Sequence, residues 1–202
     1  MIKSGSRKKR AEKCPKCKLY ESICICSDII RFDLKTRITL LTHVKEVNKA
    51  TNSGKIVKLM LSNCAAPVLG LLERPLEKED LILEGYENLV LFPHASSVLT
   101  EETAKSAGRP VNLIVPDGNY SQAVKMTKSH LLEGIKRVRL PSGQKSSYGL
   151  RKMSDPEKIS TAEAVVRALE ITGDSEAAAA IEKVFLKMTE GFRKIGNQRK
   201  SS

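Results

Sequence analysis

Apolar residues along this chain fall into short runs separated by stretches with helical spacing. Arg37 to His43 is β-branched and aliphatic with no glycine or proline, which predicts a strand. Asn88 to Pro93 is a second buried strand ending in proline, and Val111 to Val115 a third, broken at Pro116. Lys136 to Leu140 alternates basic and apolar residues, the mark of a strand with one wet face. Between these runs the period changes. The segment Thr51-Asn-Ser-Gly54 opens a helix with Val57, Met60 and Leu61 on one face. Ser121 to Ser129 predicts another, with Ala123 and Met126 inward and Lys125 and Lys128 outward. Ser160-Thr-Ala-Glu163 is a capping box that starts a helix carrying Val165, Ala168 and Leu169 inward, with Gly173 as its stop. Asp174 is expected to cap a final helix, whose positions Ile181, Val184, Phe185 and Met188 form one apolar stripe. Strands alternating with helices imply an α/β fold with a mostly parallel sheet. Residues 44–50, 94–110 and 141–151 read as connections, and the ends as frayed.

Composition adds little until charge is considered. The 202 residues are 41% hydrophobic and 29% charged, ordinary for a globular protein, and no apolar run approaches a membrane span. The basic start, Met1 to Arg10, has no apolar stretch behind it, so it is not read as a signal peptide and a cytoplasmic location is expected. The net charge of +12 is uneven: residues 1–18 carry +7, residues 125–152 carry +7 and residues 183–202 carry +5. The remainder is acidic. A basic surface on an acidic body suits a polyanionic partner, although solvated tails explain either terminus alone. Basicity does not separate RNA from DNA.

Two stretches carry candidate chemistry. Cys14, Cys17, Cys24 and Cys26 follow C-x2-C-x6-C-x-C, four of the five cysteines within thirteen residues. In a reducing compartment such close pairs suit a tetrahedral structural zinc ion, with redox thiols and simple packing as the other readings. Cys64 stands apart as a small buried hydrophobe. The second stretch, Val111 to Ala123, drops Asp117 onto a Gly118 turn ahead of a helix, and α/β sheets gather ligands at the carboxyl ends of strands. Asp-Gly is also an ordinary turn. His43, His94 and His130 read as structural or solvated.

Taken in order, several motifs resemble the DTW-domain family, the tRNA-uridine aminocarboxypropyltransferases. They are the four cysteines, Leu41-Thr-His43, Lys49 to Gly54, Leu91-Phe-Pro93, Pro116 to Ala123, Ser147 to Arg151, and Ile159 to Ala164. Two departures stand out. Asn119 and Tyr120 occupy the places of the family's Thr and Trp, in a chain with no tryptophan, and Lys49 stands where arginine is expected.

The resemblance implies a knotted fold like that of SPOUT methyltransferases, covering residues 31–190, after a zinc module at 14–30 and a basic segment at 1–13, with a basic tail at 191–202. It implies transfer of the 3-amino-3-carboxypropyl group of S-adenosylmethionine to N3 of a tRNA uridine. Asp117 would be the general base or would orient N3–H. Leu91, Phe92, Pro93 and Pro116 would line the adenosine pocket, and Thr51, Asn52 and Ser53 the polar end of the cofactor. Tyr148, Leu150, Ser160 and Thr161 would close the other side. Tyr120 would stack on the uridine or back the turn as a core aromatic, and Lys125, Lys128, Arg137, Arg139 and Arg151 would face RNA. On this reading tRNA is the partner and no DNA is expected; the oligomeric state is left open, with a monomer slightly favoured. A SPOUT-like RNA methyltransferase and a non-catalytic zinc RNA-binding protein are the competing functions.

Overall fold

The computed structural model describes residues 12–105, 108–142 and 159–198. Tyr148, Leu150 and Arg151, each assigned a role above, lie outside the described residues. The knotted path that the resemblance implies involves residues 143–158, which also lie outside the described residues.

Among the described residues seven parallel strands make one sheet. The long ones are β1 (Arg37–His43), β4 (Glu87–Leu91) and β6 (Val111–Asp117), with the four-residue β7 (Lys136–Arg139) beside β4. The short β2 (Cys64–Ala65) and β3 (Val68–Leu69) both pair with β1, and β5 (Ser97–Val98) closes the other edge against β7. From edge to edge the order is β2, β1, β6, β4, β7, β5. The last long strand in sequence thus lies centrally, between the first two. From β1 the chain departs toward one edge and from β4 toward the other, which opens a crevice at the carboxyl ends around β6.

β6 does not break at Pro116. It continues to Asp117, with Leu41 opposite Pro116 and Thr42 opposite Asp117. Pairing with β4 ends at Ile114, so the missing proline N–H costs no ladder bond on that side.

The central strands are buried on both faces, as their continuous apolar runs require. One face packs against α1 (Gly54–Met60), α4 (Thr161–Thr172) and α5 (Ser175–Gln198). The other carries Leu41, Val90 and Ile114 against Met126 of α3 (Tyr120–Thr127) and against Leu131 and Leu132. The connection 94–110 contains structure that its polar sequence does not reveal, namely β5 and α2 (Glu101–Lys105). The tail differs from expectation too. α5 runs through Gly191 to Gln198, and it packs on the cysteine module at Gly191 and Phe192. None of the described helices is long and apolar enough to cross a membrane.

Candidate active site

Asp117 ends the central strand, only 3% exposed, and its carboxylate is where four segments meet. Asn52, in the loop before α1, donates Nδ2–H to Oδ2 at 2.8 Å. Thr161, the first residue of α4, donates its hydroxyl to Oδ1 at 2.8 Å, and Thr42 of β1 reaches Oδ2 at 3.3 Å. Gly54 passes so close that a Cβ there would stand 2.9 Å from Oδ2, so the loop needs glycine at this approach. Burial pushes the Asp117 carboxyl above the ordinary aspartate range. The donors from Asn52, Thr161 and Thr42 pull it back, and the nearby Glu46 carboxylate adds to the rise.

The same cluster ties α4 to the 49–54 loop. Ser53 accepts the Ala162 amide at 3.2 Å, while Ser160 and Glu163 form the expected capping box. Two amides of the helix terminus are therefore satisfied from within the protein, and capping is the main work of Ser160. Thr51 is half-buried beside them. Buried Glu46 pairs with Lys49 at 2.6 Å, and Lys55 donates to the Lys49 carbonyl at 2.8 Å. Burial lowers the Lys55 ammonium below the usual lysine range, with Lys13 adding to the effect. Neither Glu46 nor Lys55 stands out in sequence, since each looks like a solvated loop charge.

At the end of β4, Leu91 is buried, Phe92 half-buried and Pro93 exposed. Phe92 is fixed by its amide on the Val138 carbonyl, 2.8 Å away. Beyond it His94 bonds the Tyr120 hydroxyl through Nε2. The turn after Asp117 also has local logic. A Cβ on Gly118 would lie 2.9 Å from Gln122 Cβ, and Asn119 and Gln122 form a capping box that opens α3. Asparagine in place of the family's threonine therefore keeps the cap. Tyr120, at 40% exposure, is not a core aromatic.

Of the residues expected to face RNA, Lys125 and Lys128 are exposed at the far end of α3. Arg137 crosses from β7 to the Thr127 carbonyl at 2.8 Å, joining these two basic elements. Arg139 is half-buried and reaches Ser142 Oγ at 3.2 Å.

The cysteines form a second centre. Their sulfur atoms all lie within 4.8 Å of one another, with Cys14 to Cys26 at 3.6 Å and Cys17 to Cys24 at 3.8 Å. Four thiolates about 2.3 Å from a central ion stand about 3.8 Å apart, so the donor set fits tetrahedral zinc. The separations are far too long for disulfides. Amides of Cys17 and Lys16 pull the Cys14 thiol down to about 6, whereas burial and the neighbouring thiols push Cys26 up to about 12. Lys18 holds φ at 59°, the left-handed turn that folds Cys14 and Cys17 together. Cys64 is separate, its thiol pushed up to about 12 by burial.

Three comparisons bear on this arrangement. Over 169 residues the chain is 28% identical to tRNA-uridine aminocarboxypropyltransferase 2 of Drosophila melanogaster, covering 80% of this chain and 67% of that protein. It is 25% identical over 170 residues to the Macaca fascicularis protein of the same name, covering 81% of this chain and 57% of the relative. The solved structure of the SAM-dependent rRNA:acp-transferase Tsr3 from Vulcanisaeta distributa shares the fold, with a TM-score of 0.54 at 21% identity over 82% of this chain and 81% of that one. A model of the family described as the DTW domain matches residues 11–193, which take in the sheet, the Asp117 cluster and the cysteine module, and the chain belongs to that family.

Proposed function

We propose that this protein transfers the 3-amino-3-carboxypropyl group of S-adenosylmethionine to N3 of a uridine in tRNA. The observation that carries the reading is the buried Asp117, which binds Asn52, Thr161 and Thr42 at the carboxyl edge of the sheet. Family membership and the names of the fly and macaque relatives support the reaction class.

The residues present fit the donor. Leu91 and Phe92 offer an apolar wall, and the 49–54 loop offers polar groups and a backbone brought close by Gly54. When bound, the donor supplies an electrophilic carbon attached to a sulfonium. The protein's part is to present that carbon in line with N3 and turn the methyl group away, since both carbons leave the same sulfur. Asp117 is best read as a positioning residue. A carboxylate this buried, already accepting three hydrogen bonds, is well placed to lock Asn52 and Thr161 but poorly placed to collect a proton from a base.

The four cysteines would hold a structural zinc ion that braces the amino-terminal segment. Lys125, Lys128 and Arg137 would contact phosphates.

Purified protein incubated with S-adenosylmethionine and a tRNA transcript tests the reading by mass spectrometry of nucleosides. The expected product is uridine carrying the aminocarboxypropyl group. A methylated uridine would instead make it a methyltransferase. No addition by a folded, metal-loaded protein would leave RNA binding as its activity.

A further inference from the structure

Two side chains at the carboxyl ends of neighbouring segments face each other outside the Asp117 cluster. His94 follows β4, Tyr120 opens α3 after β6, and a hydrogen bond joins imidazole Nε2 to the phenol. Their rings meet edge-on, with centroids 6.1 Å apart and planes at 89°. Phe92 abuts His94 from behind at 5.6 Å. Both members of the pair are exposed. They follow the carboxyl ends of β4 and β6, the side on which the strand order opens the crevice, whereas Asp117, three residues before Tyr120, is buried.

Building on the reaction assigned above, we propose that Tyr120 is the catalytic residue that meets uracil N3–H and passes its proton to His94. For Nε2 to accept the tyrosine proton, the imidazole carries its own on Nδ1. The N3 proton moves to Tyr120 Oη as the phenol proton moves to His94 Nε2. The electron pair left on N3 forms the bond to the side-chain carbon of the aminocarboxypropyl group. The bond from that carbon to sulfur breaks with its pair staying on sulfur, which leaves a neutral thioether. The imidazolium then returns its proton to water, and the tyrosine has kept one proton throughout. The pair also gives a reason for tyrosine where the family has tryptophan. An indole N–H donates but has no site to accept the proton.

The alternative is a surface hydrogen bond that only steadies the loop after β4, and two conservative variants separate it from the proposal. Tyr120→Phe keeps the ring and removes the hydroxyl. His94→Gln keeps an acceptor for that hydroxyl but cannot take a proton. With the full chain, S-adenosylmethionine and a tRNA transcript, both are expected to lower kcat about 10²- to 10⁴-fold while KM for tRNA stays within about threefold, and the double variant to be little worse than either single one. Unchanged melting temperatures would confirm the fold.

Near-normal kcat and KM in Tyr120→Phe would overturn the proposal in favour of stacking, which the retained ring still provides, and full activity in His94→Gln would overturn it in favour of orientation. If the parent protein transferred methyl instead, the donor reading would fail, but the same kcat ratios would still judge the pair. A parent protein that transferred neither group would sink both.

Discussion

Asp117 illustrates how much one residue's role depends on partners that sequence does not reveal. The residue itself is legible from its place after a buried run, and Asn52 and Thr161 are both picked out as site residues. That they bond the same carboxylate is not legible, because they lie 65 and 44 positions away along the chain and meet it only through sheet order. The burial has a measurable consequence. A carboxyl whose folded value exceeds its unfolded value holds its proton more tightly when folded. Its contribution to stability is therefore greatest below the ordinary aspartate value and declines as pH rises toward the elevated one. Asp117→Asn should flatten that part of the curve of Tm against pH, while lowering transfer by about 10²-fold because Asn52 and Thr161 lose their common anchor. An unchanged pH slope would show that Asp117 is not the titrating group. Gly54→Ala tests the same anchor from outside. A methyl group 2.9 Å from Oδ2 must displace either the loop or the carboxylate, so activity should drop even where a Tm scan shows the protein folded.

At the level of elements, the cysteine module and α5 explain each other. The four-cysteine spacing is strong enough to be read directly, but the docking partner is not. The basic composition after Gly191 looks like a solvated tail, and only packing reveals that Phe192 meets Tyr20 edge-on, with centroids 6.4 Å apart. Lys187 adds an ion pair to Asp28 at 2.6 Å, an exposed contact of little energetic weight. The tight contact is Gly191, where a Cβ would fall 2.7 Å from Ile23 Cγ2. Helix propensity alone would favour alanine there by up to about 1 kcal/mol, while overpacking costs about 1–3 kcal/mol. Gly191→Ala should therefore be net destabilising in chemical denaturation. Adding Ile23→Ala should make the double variant less destabilised than the sum of the singles. If the two effects add, the contact is not tight. The metal tests the module itself. Elemental analysis should find about one zinc per chain, and chelation should lower Tm by about 5 °C or more, because metal binding and folding of such a module are one equilibrium. A chelator-treated protein with full Tm and no metal would remove zinc from the account.

The parallel α/β sheet is legible from the alternation of runs, yet the order of its strands is not. Nothing in Val111 to Val115 says that this third run lies between the first two, and that placement creates the crevice. The edge pieces escape for a different reason: β5 and α2 are too short and too polar for periodicity to register. Charge becomes interpretable only at this scale. α3 begins at the crevice with Tyr120 and advances about 1.5 Å per residue, so Lys125 and Lys128 lie roughly 8 and 12 Å down the molecule from it. Arg137, bonded to the end of the same helix, extends this basic track across to β7. An RNA whose target base enters the crevice would lay its neighbouring phosphates along α3. Such contacts fix register without touching chemistry. Replacing Lys125 and Lys128 with alanine should therefore raise KM for tRNA and leave kcat at saturating tRNA unchanged. Each lost phosphate contact should also reduce the slope of log affinity against log salt by about 0.7 to 0.9. Arg137 is left out of this test because its guanidinium also holds the Thr127 carbonyl, and its loss would loosen α3 itself. If the double lysine variant lowered kcat with the salt slope intact, the track would belong to the catalytic geometry rather than to RNA docking, and the phosphate path along α3 would have to be abandoned.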